Sequence, residues 1–181
     1  VFKHISNLFH EKRLKRKCAI LTDLDSAYVK VADNIFDADF VESLVDAEDD
    51  GLRRKEELDK YIEGNEFITV HYAENTFETE LVRYDENNNL FIEVMKTEYK
   101  KEAYFKKAES DVNSSDLRVR YKRVLKFAKK IGKGWLATEM VEHLSVDNRV
   151  PDYILQAIQF VLRDRNVEPI YQKMLDYNMS L

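Results

Sequence analysis

The chain has 181 residues, 44% of them hydrophobic and 35% charged, which suits one globular domain with a core, or a domain with a small appendage. The net charge of -5 excludes a histone-like polycation but leaves room for a local basic groove. No run of about 18 apolar residues is present, so no membrane-crossing helix is expected. The opening Val1-Phe2-Lys3-His4 is not a signal peptide, and the missing initiator Met reads as a fragment of a longer protein. The single Cys18 cannot form an internal disulfide, so a reducing cytoplasm is expected, and a structural zinc site is not.

In chain order, Phe2, Ile5, Leu8 and Phe9 recur at helical spacing. A basic run from Lys12 to Lys17 follows, read as a solvated loop or a phosphate contact. Cys18-Ala19-Ile20-Leu21 is a short apolar run bounded by charge, the pattern of a buried central strand in an α/β sheet. It ends in Asp23 and Asp25, two positions apart and so on one side of a strand. The carboxyl edge of such a sheet is where ligands bind. Two acids held together repel unless a cation sits between them, and Mg²⁺ prefers oxygen ligands. The alternative is a strand that ends in a solvated Asp/Ser turn.

Ala27 to Ala32 is expected to open a helix, and Asp33 to Asp50 reads as a solvated acidic loop or insertion. Leu52 to Glu63 is helical, stopped at Gly64-Asn65. Glu66 to Tyr72 is a second strand, rich in β-branched and aromatic residues. Asn75 is the expected N-cap of the next helix, with Glu78 three residues later closing a capping box. Glu78 or Glu80 is thereby placed to join Asp23 and Asp25, although acids in a first turn also complement the helix dipole.

Asp85 to Asn89 breaks that helix, and Leu90 to Ala108 is expected to form one long helix. Asp111 to Ser115 reads as a polar loop. Leu117 to Ile131 is a clear amphipathic helix. Its apolar face carries Leu117, Tyr121, Val124, Ala128 and Ile131, and Arg118, Lys122, Lys126, Lys129 and Lys130 form a basic stripe. The stripe is either solvated or tracks a phosphate backbone, and it leads into Gly132-Lys133-Gly134. Two glycines allow close approach or positive φ, and a lysine between them offers a point charge to phosphate. The P-loop spacing is absent. Further helices are expected from Trp135 to Leu144, from Tyr153 to Leu162 after Pro151, and from Pro169 to Tyr177.

Taken together, these pieces resemble the C-terminal Toprim half of the overcoming-lysogenisation-defect (OLD) family of ATPase-coupled nucleases, which includes the nuclease subunit of the Gabija anti-phage system. The resemblance rests on Phe2 to Phe9, on Ala19 to Ser26 as the Asp-x-Asp strand, and on Asn75 to Leu81 as the Thr-hydrophobic-Glu-x-x-Leu segment. Gly132 to Ala137 matches the Lys-Gly-x-hydrophobic-Ala segment, and Pro151 to Ile154 a helix opening. It implies an α/β Toprim (Rossmann-like) fold, a central parallel sheet flanked by helices. Residues 1–110 would be the catalytic core, and 111–181 a helical C-terminal region completing the site. It also implies metal-dependent DNA cleavage in anti-phage defence or DNA repair. Asp23, Asp25 and Glu78 would be catalytic ligands of Mg²⁺ (or Mn²⁺ or Ca²⁺), with Glu80 the substitute for Glu78 and Ser26 or Thr22 assisting. Lys133 would face the scissile phosphate, and the stripe from Arg118 to Lys130 would hold DNA.

The family's earlier Glu-Gly-x-x-Glu-type turn has no counterpart before Lys17. That strand and the N-terminal ATPase domain are therefore expected to lie outside this chain, leaving the fragment alone weak or inactive. A homo-oligomeric full-length protein and a helicase-like partner are also implied. Two other readings compete. A haloacid-dehalogenase-type phosphatase would use Asp23 as nucleophile, but its downstream acidic pair is not found after Lys133. A non-catalytic interaction module would leave the acids idle.

Overall fold

A computed structural model describes residues 16–24 and 38–163, with side chains described from 49 onward in the second stretch. The expected helices near Phe2 to Glu11, Ala27 to Ala32 and Pro169 to Tyr177 lie outside the described residues, as do Asp25 and Ser26. The described chain is mixed α/β and mostly helical, with a two-stranded parallel sheet. It divides into two compact units.

The sheet unit contains residues 16–24, 49–73 and 150–163. Strand β1 (Cys18–Asp23) pairs in parallel with β2 (Ile68–Ala73), Cys18 opposite Ile68 and Asp23 opposite Ala73. Parallel pairing needs a long crossover. Helix α1 (Ala38–Ile62) lies in it, its C-terminal part belonging to this unit. Buried Gly51 explains one close contact: a Cβ there would stand 3.2 Å from the Leu24 carbonyl oxygen, just past β1. The helix gives up about 1 kcal/mol of propensity relative to Ala for that approach.

Two expectations change in this unit. The acidic stretch is helical from Ala38 rather than a loop up to Asp50. Once a helix is nucleated, each added residue gains a hydrogen bond, so a weakly patterned segment can be carried by its neighbour. Pairs at helical spacing, Asp50–Arg53 at 2.9 Å and Lys55–Asp59 at 2.5 Å, continue along it. Strand β1 is also half-buried rather than buried, with Leu21 47% exposed. Among the described residues its hydrogen-bonded neighbour is β2, and α7 (Asp152–Leu162) packs on both strands. A full central sheet is not part of the described fold.

The helical unit contains residues 38–48 and 74–149. Its helices are α2 (Phe77–Val82), α3 (Asn88–Glu98), α4 (Glu102–Val112), α5 (Leu117–Ile131) and α6 (Lys133–Val141), with a 3-10 turn at Asp85–Asn87. Helix α5 has the bounds that its apolar periodicity predicts. The core gathers Val82, Leu90, Phe91, Val94, Met95, Val112, Val124, Phe127 and Leu136.

The expected single helix from Leu90 to Ala108 is two helices, broken at Tyr99 to Lys101. A straight helix of that length would run about 28 Å. The break folds Ala108 and Val112 onto the core with Phe105 beside them. Tyr99, at the bend, packs on Phe127 with ring centroids 5.6 Å apart.

The polar loop expected from Asp111 also changes. Asp111 is buried in the last turn of α4, 2.5 Å from Arg123 of α5 and 2.5 Å from Lys107. Burial opposes its ionisation, but Lys107 and Arg123 outweigh it and hold the carboxyl below its ordinary range. Buried Asn87 donates to the carbonyls of Leu81 (2.9 Å) and Arg149 (2.8 Å) and accepts from the Arg149 N–H (2.9 Å). One amide thereby ties residues 62 positions apart in the chain.

Candidate functional site

In the sheet unit, Asp23 closes β1 and is half-buried. Side chains alternate along a strand, so Asp23 shares its face with the exposed Leu21. Thr22, on the other face, accepts a hydrogen bond from Arg54 of α1 at 3.3 Å. Beside it in register, Tyr72 donates to Asp59 at 2.8 Å. Burial resists ionisation of the Tyr72 phenol, and Asp59 resists it further, so its pKa is raised. His71 is half-buried on β2, and burial lowers its pKa against a hydrogen bond with Gln156.

In the helical unit the chain builds a different arrangement. Thr76, not Asn75, is the N-cap of α2, and the box partner is Thr79 rather than Glu78. The Thr79 hydroxyl accepts from the Thr76 N–H at 3.1 Å and donates to the Thr76 carbonyl at 2.8 Å. Glu78 is thus released from a capping role. It shares its helix face with Leu81 and Val82, which carries it into the interior.

There Glu78 meets Lys133. The Lys133 ammonium donates to Glu78 Oε2 at 3.3 Å, across 55 residues of sequence. The carboxylate is nearly closed off, while the Lys133 side chain is 56% exposed. Lys133 is the first residue of α6, where the helix dipole disfavours a cation. The buried carboxylate offsets that field, and the lysine offsets the desolvation of the acid.

Glu80 does something else. Two residues along a helix turn a side chain by about 200°, so Glu80 cannot share Glu78's direction. Its Oε1 accepts the Glu74 N–H at 3.2 Å, and Arg83 lies 3.6 Å away. Burial raises its pKa, with Arg83 pulling it back down.

Gly132 joins α5 to α6 with φ +90°, a backbone conformation that L side chains rarely adopt. Gly134 needs no such freedom: it lies inside α6. Open space surrounds both glycines, since a Cβ at either would meet nothing within 4 Å.

Of the stripe, Arg118, Lys126, Lys129 and Lys130 are exposed on α5, and Lys122 is half-buried. Arg118 caps back on Asp116, whose carboxylate accepts its backbone N–H at 2.9 Å. Lys130 stands 4.7 Å over the Tyr99 ring. The two arginines between them serve structure. Arg123 holds Asp111, and buried Arg120 pairs with Asp85 at 2.5 Å and donates to the Ser114 carbonyl. On α6, which ends at Val141 rather than at the expected Leu144, Leu136 and Met140 are buried and Trp135 and Val141 are exposed.

The expected metal ligands are all oxygen donors, which suits a hard divalent cation. Among the described residues no group of three or more His, Cys, Asp or Glu side chains could hold one. Among these residues no helix is long and apolar enough to cross a membrane. No protein family, curated protein or solved structure matches the chain.

Proposed function

We propose that the chain is the Toprim-like part of a metal-dependent DNA endonuclease of the OLD kind, coupled to an ATPase domain and acting in anti-phage defence or DNA repair. One observation carries the reading: Glu78 and Lys133, from two of the segments that resemble this family, meet at 3.3 Å. A buried acid holds the amine, and α5, which carries four exposed cations, ends two residues before Lys133. Lys133 offers its charge to a phosphodiester oxygen, where charge develops as the bond breaks. Glu78 positions that amine. Arg118, Lys122, Lys126, Lys129 and Lys130 hold the backbone phosphates without reading sequence. Asp23, Asp25 and Glu78, with Ser26 assisting, belong to the proposal as ligands of Mg²⁺ or Mn²⁺. Such an ion supplies an activated water and charge neutralisation when bound.

The test is nicking of supercoiled plasmid in Mg²⁺ and Mn²⁺ by the protein that carries this sequence. Nicking should fall by about 100-fold or more in Asp23→Ala and in Lys133→Ala. Glu80→Gln should cut at close to the unsubstituted rate, because Glu80 is turned onto Glu74 and Arg83. Activity on a phosphate monoester that Asp23→Ala removes, with no plasmid nicking, would replace this reading with a phosphatase.

A further inference from the structure

Glu78 has two roles in the reading above: it holds the Lys133 amine and it binds the metal ion. Its surroundings decide how the two combine. The Glu78 side chain is 8% exposed, and its one hydrogen bond among the described residues comes from Lys133 to Oε2. At 3.3 Å that bond is longer than the roughly 2.7–2.9 Å of a well-fitted bond between an ammonium and a carboxylate. Charge therefore holds the pair more than fit does. Most of the carboxylate's acceptor capacity is unused, which suits an oxygen ligand for a hard cation. Lys133 is kept in place for a related reason. Taking one partner out of a buried pair leaves the other charge uncompensated, which is strongly unfavourable. The amine, 56% exposed, can turn to a phosphate only when another cation neutralises Glu78. The helix favours that exchange, because Lys133 is the first residue of α6, where the dipole disfavours an ammonium and favours an anion. Open space around Gly132 and Gly134 leaves room for a phosphate there.

We infer that the Glu78–Lys133 pair is a lock on the DNA site: Glu78 withholds the Lys133 amine from phosphate until a divalent cation takes the carboxylate. This rests on the metal-dependent nuclease reading and gives that site its regulation. Cation binding and DNA binding are thereby coupled, since each favours the state in which the pair is open.

The test measures DNA binding rather than cutting. The protein that carries this sequence is titrated against end-labelled duplex DNA by anisotropy, first without divalent ions and then with Ca²⁺, a hard cation that takes oxygen ligands. Calorimetry follows Ca²⁺ binding itself. Ca²⁺ should tighten DNA binding about tenfold and steepen its salt dependence by about one phosphate contact. Glu78→Gln should reach that affinity and slope with no ion added, whereas loss of a simple metal ligand would leave ion-free binding where it was. In a Lys133→Met background, Glu78→Gln should gain less than about twofold, because the amine it frees is gone. Lys133→Met alone should lose most of the response to Ca²⁺. No ion-free gain in Glu78→Gln, an equal gain in the Lys133→Met background, or an unaltered Ca²⁺ response in Lys133→Met overturns the lock and leaves the metal and DNA sites standing. Failure to bind DNA, or to bind Ca²⁺, overturns the nuclease reading itself and the lock with it.

Discussion

The two compact units solve the problem of burial in different ways. The helical unit closes its core: Phe91, Phe127, Val94 and Met95 are essentially inaccessible, and its buried Asn87, Asp111 and Arg120 have partners. The sheet unit spreads its apolar residues thinly: none of β1 is fully buried, and only Ile68, Val70 and Ala73 of β2 are. The residues that look chemical divide along the same line. Asp23 ends a half-buried strand in one unit, whereas Glu78 and Lys133 are held by a closed core in the other. Depth of burial decides how firmly a side chain is placed, because a packed core leaves few alternative rotamers.

Substitutions can break that comparison. Phe127→Ala removes a fully buried ring and should cost about 3–5 kcal/mol. Ile20→Ala, in half-buried β1, should cost no more than about 2 kcal/mol. Denaturant unfolding of both variants checks this, and equal losses would show that the sheet unit is as tightly packed as the helical one. Next in size, Asp111→Ala leaves Arg123 partly buried without its acid and should cost about 2–3 kcal/mol by the same measurement. A loss below about 0.5 kcal/mol would place that pair with ordinary surface ion pairs.

The smallest effect sharpens the comparison within the helical unit, because two of its buried acids shift in opposite directions. Asp111 has a lowered pKa when folded, so its contribution is present above the unfolded value of 3.8 and is lost as pH falls through the folded one. Glu80 has a raised pKa, so folding favours its protonated form. Its contribution is complete below the unfolded value of 4.5 and is lost as pH rises through the folded one. Stability measured against pH should therefore lose part of its acid-side rise in Asp111→Asn and part of its fall above pH 4.5 in Glu80→Gln. The same sign of change in both variants would contradict these assignments.

Features encoded over a few residues were legible from the sequence. The apolar spacing of Leu117 to Ile131 set α5, the β-branched and aromatic run of Glu66 to Tyr72 marked β2, observed at Ile68–Ala73, and the glycines flanking Lys133 allowed the positive φ that Gly132 adopts. Each depends on backbone geometry and near neighbours, which the order of residues states directly. Features that depend on distant residues were not legible in this way. Spacing alone left Glu78 and Glu80 equivalent. Packing of α2 put one against Lys133, 55 residues away, and turned the other onto Arg83. Asp111 looked like a loop residue until α4 brought it to Arg123. The sequence by itself determined where most of the helices and strands lie. Only the tertiary structure decided which charged side chains meet and which apolar ones stay in solvent, because burial and ion pairing depend on neighbours that the chain supplies only once folded.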